Sequence, residues 1–274
     1  MKKNIDHFTV EGFGEEWNAY KQTDPNALKS SFDQYFSIFP WELVNTSSEG
    51  FDMGCGSGRW ASFVAPHVGK LNCVDPSEKA LRVAKINLRE QNNCTFEQSI
   101  VDECSLENCS QDFGYSLGVL HHIPDTLKAM QICVSKLKPG APFLVYLYYR
   151  FDNRSHIFKA IWLVSDAFRR IICILPFYLK LPVTKLIAII IYYPLARFSL
   201  FLEKLGLSVN NFPLSDYRQK SFYVMATDAL DRFGTRLEQR FTKNEIHKMM
   251  VASGLESIKF SDATPFWVAV GYKA

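Results

Sequence analysis

The sequence predicts an α/β fold: a doubly wound, mostly parallel sheet with helices on both faces. Three observations carry this. Short apolar runs alternate with helix-period segments from about residue 49 onward. A glycine-rich turn, FDMGCGSGRW at 51–60, joins the first run to the first helix of that series. Asp75 closes the next run, twenty-one residues after Gly54, where a carboxylate can accept hydrogen bonds from both hydroxyls of a ribose. With 274 residues and 47% hydrophobic content, the chain can bury a full core and still carry an insertion.

Residues 1–45 are an aromatic-rich leader, read as an N-terminal helical lid. Phe8, Phe13, Trp17, Tyr20, Phe32, Tyr35, Phe36 and Phe39 recur at helix-like intervals, and Asn26 caps a helix to about 38 that Pro40 ends. Helices packed on the sheet explain these rings as well as a lid does. Trp17 and Tyr20 are the candidates for lining a site beneath it.

Residues 46–150 form the sheet core. Glu49 to Met53 is the first strand. Glycines at 54, 56 and 58 let the backbone approach a ligand and adopt positive φ. A helix over 57–66 follows, its N-terminal N–H groups and positive dipole end suited to a negative group. A strand at 69–75 leads to a helix over 77–90, opened by Pro76 and Ser77, with Ala80, Val83, Ala84 and Leu88 on one face. A strand at 94–100 leads to Asp102, and a strand at 113–118 leads to His121 and His122. Pro124 starts a helix to about 137, and PFLVYLYY, within 142–149, is the fifth strand. The core is completed late, by residues 241–274. TKNEIHKMMVASG (242–254) reads as a helix with a Thr242–Glu245 capping box and a terminal Gly254. Residues 257–262 and 265–272 read as a hairpin.

Residues 151–240 are therefore an insertion after the fifth strand. From 150 to 204, Lys or Arg stands at 150, 154, 159, 169, 170, 180, 185, 197 and 204, against acids at 152, 166 and 203. Apolar runs such as IFKAIWLV and LIAIIIYYPLARFSLF fill the rest. The longest uncharged run, between Lys185 and Arg197, is eleven residues, and a spanning helix needs about 20. The segment suits a membrane interface, with its cations near anionic headgroups, through residues 156–202. A helical cap on its own domain or on a second subunit reads equally from the same pattern.

The spacing G-x-G-x-G puts Arg59 where a dinucleotide fingerprint has its third glycine. With Asp52 two positions before Gly54, this loop resembles motif I of the class I S-adenosylmethionine-dependent methyltransferases. DFGYSLGVLHHIPD (112–125) is similar to the fourth-strand motif of that family, and LKPGAPFLVYLYY (137–149) to its fifth-strand region, with Lys138, Pro139 and Gly140 in the turn. Ala141 replaces a second glycine common in that turn. The resemblance implies a seven-stranded Rossmann-like sheet with an antiparallel last strand beside the fifth, and S-adenosylmethionine as cofactor. It implies that Gly54, Gly56 and Gly58 contact the methionine and ribose, that Asp52 anchors the loop, and that Asp75 takes the ribose hydroxyls. Pro76 would lie along the adenine, Asp102 with the Glu103 backbone would meet its amino group, and Leu117 would face the methionine.

Methyl transfer is a displacement that needs donor and acceptor held in line, and a base where the acceptor carries a proton. His121 and His122 follow a strand end, where ligands sit in open α/β sheets. His121 is the preferred base, His122 the second, and a structural role for both remains open. Tyr146, Tyr148, Tyr149 and Arg150 are candidate acceptor-site residues. The acceptor class the resemblance allows is a small or lipid-linked molecule of quinone, natural-product or glycan-precursor type. A nicotinamide-dependent oxidoreductase, disfavoured by Arg59, and a non-catalytic membrane- or partner-binding protein stay open as alternatives.

Net charge is +3, and the basic residues are interleaved with aliphatics, so nucleic acid is not an expected partner. The seven cysteines and an N-terminus without an apolar leader point to reduced thiols in the cytoplasm, and the basic, apolar insertion allows a peripheral place on the inner membrane face. No metal site is expected, since no second pair or His cluster joins Cys104 and Cys109. Oligomeric state is not readable from the sequence.

Overall fold

The computed structural model describes residues 3–19, 25–209 and 212–274, with the side chains of 17–19 and 25–27 outside the description. Trp17 therefore has a helical backbone but no described side chain, and Tyr20 lies outside the described residues. The chain divides into two compact units, residues 1–150 with 237–274, and residues 151–236.

The first is a sheet unit. Its helices and strands in chain order are α1 (His7–Ala19), α2 (Pro25–Tyr35), β1 (Glu49–Met53), α3 (Ala61–Val64), β2 (Lys70–Asp75), α4 (Glu78–Asn87), β3 (Cys94–Gln98), β4 (Phe113–Leu117), α5 (Thr126–Lys136) and β5 (Pro142–Tyr146). The seven strands run in the order β3-β2-β1-β4-β5-β7-β6, the last two being β6 (Leu255–Phe260) and β7 (Ala269–Lys273). The first five are parallel, and β7 is antiparallel to both β5 and β6. This is the seven-stranded arrangement expected, with the last strand inserted beside the fifth. The order reverses between β1 and β4, so their C-terminal ends open a crevice. Phe51, Phe113, Tyr115 and Phe143 are fully buried along these central strands.

Local chemistry sets the boundaries. The Ser77 hydroxyl accepts from Ala80 N–H and caps α4, and the Asp125 carboxylate accepts from Lys128 N–H and caps α5. Thr242 and Glu245 form the capping box of the helix Lys243–Ala252. The helix expected over 57–66 is shorter. Gly58 N–H bonds the Cys55 carbonyl and holds a turn. α3 then has only four residues before Pro66 tightens the chain into a 3-10 turn.

The second unit is all helical. It holds α6 (His156–Ile172), α7 (Phe177–Ile187), α8 (Tyr193–Lys204) and α9 (Phe222–Gly234), and Lys243–Ala252 of the sheet unit is α10. A π-turn over Ala188–Tyr192 joins α7 to α8, so residues 177–204 form one 28-residue helix, long and apolar enough to cross a membrane. Prolines 182 and 194 do not break it. The wider π-turn lies just before Pro194, where the ring would crowd the carbonyl four residues back. Of the charges on this helix, Lys180 donates to the Gly234 carbonyl (3.0 Å) and Arg197 to those of Arg218 (2.8 Å) and Lys220 (3.2 Å), while Lys185, which bounds the eleven-residue run, stays exposed.

Candidate active site

The glycine loop leaves β1 and is pinned to the neighbouring strand. Gly54 and Cys55 N–H both donate to the Val74 carbonyl, at 2.7 and 3.1 Å. Gly54 has φ +82°, and a Cβ there would lie 2.4 Å from both Val119 methyls, so both backbone and space exclude a side chain. Asp75, at the end of β2, takes Gly56 N–H on Oδ2 (2.9 Å) and Ser77 N–H on Oδ1 (2.8 Å). The loop is thus held by Asp75 and the Val74 carbonyl. No hydrogen bond from Asp52 to the loop is present among the described residues, although Asp52 was the expected anchor. Its buried carboxyl lies behind the loop, raised to about 8 by burial against the opposing pull of the Tyr115 hydroxyl.

One pocket spans the C-terminal ends of these strands. Gly54, Gly56, Asp75, Pro76 and Leu117 line it. Gly58 does not; its positive φ of +74° shapes the turn beneath. Asp102 and Glu103 also stand off the wall, which Ser99, Ile100 and Val101 form instead. Asp102 Oδ2 is paired with Lys128, while Oδ1 is buried without a partner among the described residues. Glu103 reaches outward to Lys3 (2.8 Å).

The two histidines separate. His122 lines the pocket and meets the Phe13 ring edge-on at 4.9 Å. Its Nδ1 lies 2.6 Å from the Leu237 carbonyl. A carbonyl only accepts, so Nδ1 carries the hydrogen and Nε2 is the basic nitrogen. His121 is fully buried behind it, stacked on Tyr148 at 3.9 Å. Burial and the neighbouring His122 push the His121 pKa well below the usual imidazole value. The preferred base is therefore off the pocket and the second choice is on it. Tyr148 packs between His121 and Arg240, and Arg150 pairs with Glu245 at 3.1 Å; neither lines the pocket.

Four residues that sequence reasoning missed complete the wall. Asn4, Thr9 and Phe13 come from the N-terminal segment. Asn4 donates to the Asp125 carbonyl (3.0 Å) and accepts Asp125 N–H (2.7 Å), while the Thr9 hydroxyl accepts Leu237 N–H (3.2 Å). The fourth is Arg59, which packs over Trp60 at 4.5 Å with both in the pocket wall. The aromatic periodicity gave a signal for Phe13, whereas nothing local marks Asn4.

The arrangement fits a nucleoside-bearing cofactor. Each Asp75 oxygen accepts one backbone N–H and retains capacity for a second donor, as two ribose hydroxyls require. At Gly118 a Cβ would meet nothing within 4 Å, so the floor beside Leu117 is open.

Residues 51–140 match the family model described as a methyltransferase domain. Over 146 residues the chain is 28% identical to a ubiquinone biosynthesis O-methyltransferase of Nitrosospira multiformis, covering 50% of this chain and 59% of that protein. It is 32% identical over 112 residues to phosphoethanolamine N-methyltransferase 2 of Caenorhabditis elegans, covering 39% of this chain and 26% of that protein. A solved S-adenosylmethionine-dependent methyltransferase of Thermotoga maritima, described as a possible histamine N-methyltransferase, shares the fold. Its TM-score is 0.53 at 14% identity, over 97% of this chain and 100% of that one. The chain thus spans less than two thirds of the length of the first of these relatives.

Proposed function

We propose that this chain, a member of the class I S-adenosylmethionine-dependent methyltransferases, methylates a small or lipid-linked acceptor of quinol type at a membrane surface. The observation that carries the reading is one pocket holding both Asp75, set by two backbone N–H groups for a ribose, and His122, with Nε2 as its basic nitrogen. S-adenosylmethionine, when bound, supplies an electrophilic methyl group already activated by its positive sulfur.

The chain's own residues do the rest. Asp75 would hold the ribose hydroxyls, Pro76, Ile100 and Val101 would flank the adenine, and Arg59 would face the methionine carboxylate. His122 accepts the proton of an acceptor hydroxyl at Nε2, and its bond to Leu237 keeps the ring in the tautomer that allows this. Asn4, Thr9 and Phe13 exclude water from the pocket. The quinone-pathway name of the Nitrosospira relative supports a hydroxyl acceptor, and the exposed apolar helices support a lipid-linked one.

Calorimetry with S-adenosylmethionine, S-adenosylhomocysteine and NADH tests the cofactor, and turnover with a catechol or quinol headgroup tests the acceptor. Binding of the two sulfur compounds and not NADH is expected. His122→Gln should keep cofactor affinity and lower turnover by about 10²-fold. Binding of NADH, or full turnover in that variant, would refute the assignment.

A further inference from the structure

The helical unit buries an ion pair and turns most of the hydrocarbon of α6 to α8 outward, around a small apolar interior of Met225, Ala226, Ala229, Leu230 and Phe233 on α9. At its centre Asp166 accepts from Arg169 (2.7 Å) and Arg170 (3.0 Å) and lies 3.6 Å from Arg232. Arg169 also donates to the carbonyls of Thr235 (3.1 Å) and Arg236 (3.2 Å). Glu203 takes both ends of the Arg218 guanidinium, at 2.9 and 2.8 Å. Lys180 and Arg197 are turned onto backbone carbonyls.

The inward line of the 177–204 helix is Thr184, Ala188, Tyr192, Ala196 and Ser199, all buried and mostly small. Small residues let helices approach closely where no hydrophobic effect drives them together, as in lipid. The outward faces carry the bulk: Ile190, Phe198 and Phe201 on this helix and Ile157 and Phe168 on α6 are between 50% and 75% exposed. Only 22% of the most apolar stretch of the 28-residue helix is buried. A water-soluble cap would bury these side chains and expose the cations.

We infer that residues 151–236 insert into the hydrocarbon of a bilayer, held by apolar burial rather than by attraction of cations to anionic headgroups. This deepens the membrane part of the proposed function and does not depend on methyl transfer. It also reverses the electrostatic docking read from the sequence, since Lys180, Arg169 and Arg197 are committed to internal partners. Lys185 and Arg170 stay exposed and would reach the headgroup layer by extending their stems.

The test is flotation of the full chain with vesicles of phosphatidylcholine alone, or mixed with phosphatidylglycerol. Each is run in physiological salt and in about 1 M NaCl, where the Debye length is about 3 Å. Flotation with the neutral vesicles that survives the salt is expected. The double variant Ile190→Asp, Phe198→Asp should partition at least about tenfold less, while Lys185→Ala should change partition by under about threefold. Flotation only with the anionic vesicles, or its loss in salt, would overturn the inference. So would failure to float together with self-association that the double variant abolishes, which makes the face an interface between copies. Calorimetry with S-adenosylmethionine on the same preparation separates these outcomes from failure of the methyltransferase reading.

Discussion

The two units sort the same side-chain chemistry in opposite directions. In the sheet unit Phe51, Phe113, Phe143 and Leu144 are fully buried, and among the described residues only Phe8, Leu43, Ile86 and Val251 are large hydrophobics left exposed. The other eighteen exposed ones lie between Ile157 and Leu207, in the helical unit. That unit buries an acid together with its base, Asp166 with Arg169. Water rewards the first arrangement, at about 25 cal/mol per Å² of apolar surface removed from it. The second arrangement loses that gain in water and regains it only against another apolar phase. Burial pattern, rather than hydrophobic content, therefore distinguishes the part that organises a pocket from the part that turns its large apolar side chains outward.

The largest effect that tests this contrast is at Asp166. Asp166→Ala leaves Arg169 buried beside Arg232 without their shared acid. Removing one partner of a buried pair costs about 3 kcal/mol or more, here at the low end because Arg169 keeps two carbonyls. Hydrogen exchange should show the loss in residues 151–236, with S-adenosylmethionine affinity preserved. An unchanged protection pattern would show that the internal ion pairs do not hold the helices.

Gly54→Val is the counterpart in the sheet unit. The new side chain meets Val119 and must take a φ of +82°, so the loop moves from its bonds to Val74. Cofactor affinity should fall about 100-fold, roughly 2.7 kcal/mol, while vesicle flotation stays unchanged. Wild-type affinity in this variant would make the loop a simple turn.

How much of this was legible in the sequence differed between the units for a physical reason. Local rules determined β1 to β5, the Thr242–Glu245 box and the Asp75 position, since period, caps and turn glycines act over a few residues. The choice between His121 and His122 was not local. Adjacent residues point different ways, and the Leu237 carbonyl that fixes His122 comes from far along the chain. Asn4 escaped for the same reason, its partner being Asp125. In the helical unit the charges could be counted but not placed, because composition does not say which way Lys180 and Arg197 point. Pro66 could have warned that α3 would be short.

The smallest effect is set by pH, and its sign differs between the units. Burial raises the Asp75 carboxyl from 3.8 to about 6, against the pull of Ser77 and Gly56 N–H. Only the carboxylate accepts from two hydroxyls with both oxygens, so S-adenosylmethionine affinity should be full above about pH 7 and fall as the pH drops through 6. At pH 5 about one tenth of the sites remain ionised, and affinity should be about tenfold weaker. Stability of the unliganded sheet unit runs the other way. A folded pKa above the unfolded one favours folding below about pH 4, a contribution lost as the pH rises through 6, and Asp52, raised to about 8, extends that loss. In the helical unit burial raises the Asp166 pKa, but Arg169, Arg170 and Arg232 outweigh it and the net shift is down. Its contribution is present above the ordinary carboxylate range and lost on acidification. Hydrogen exchange on the unliganded protein should therefore show more protection in residues 49–146 at pH 5 than at pH 8, while protection in 151–236 is unchanged between those values and falls only below the ordinary carboxylate range, by about pH 3. Asp75→Asn should flatten the pH profile of cofactor affinity. Parallel changes in both units would mean that Asp75 and Asp52 are not desolvated as their burial requires.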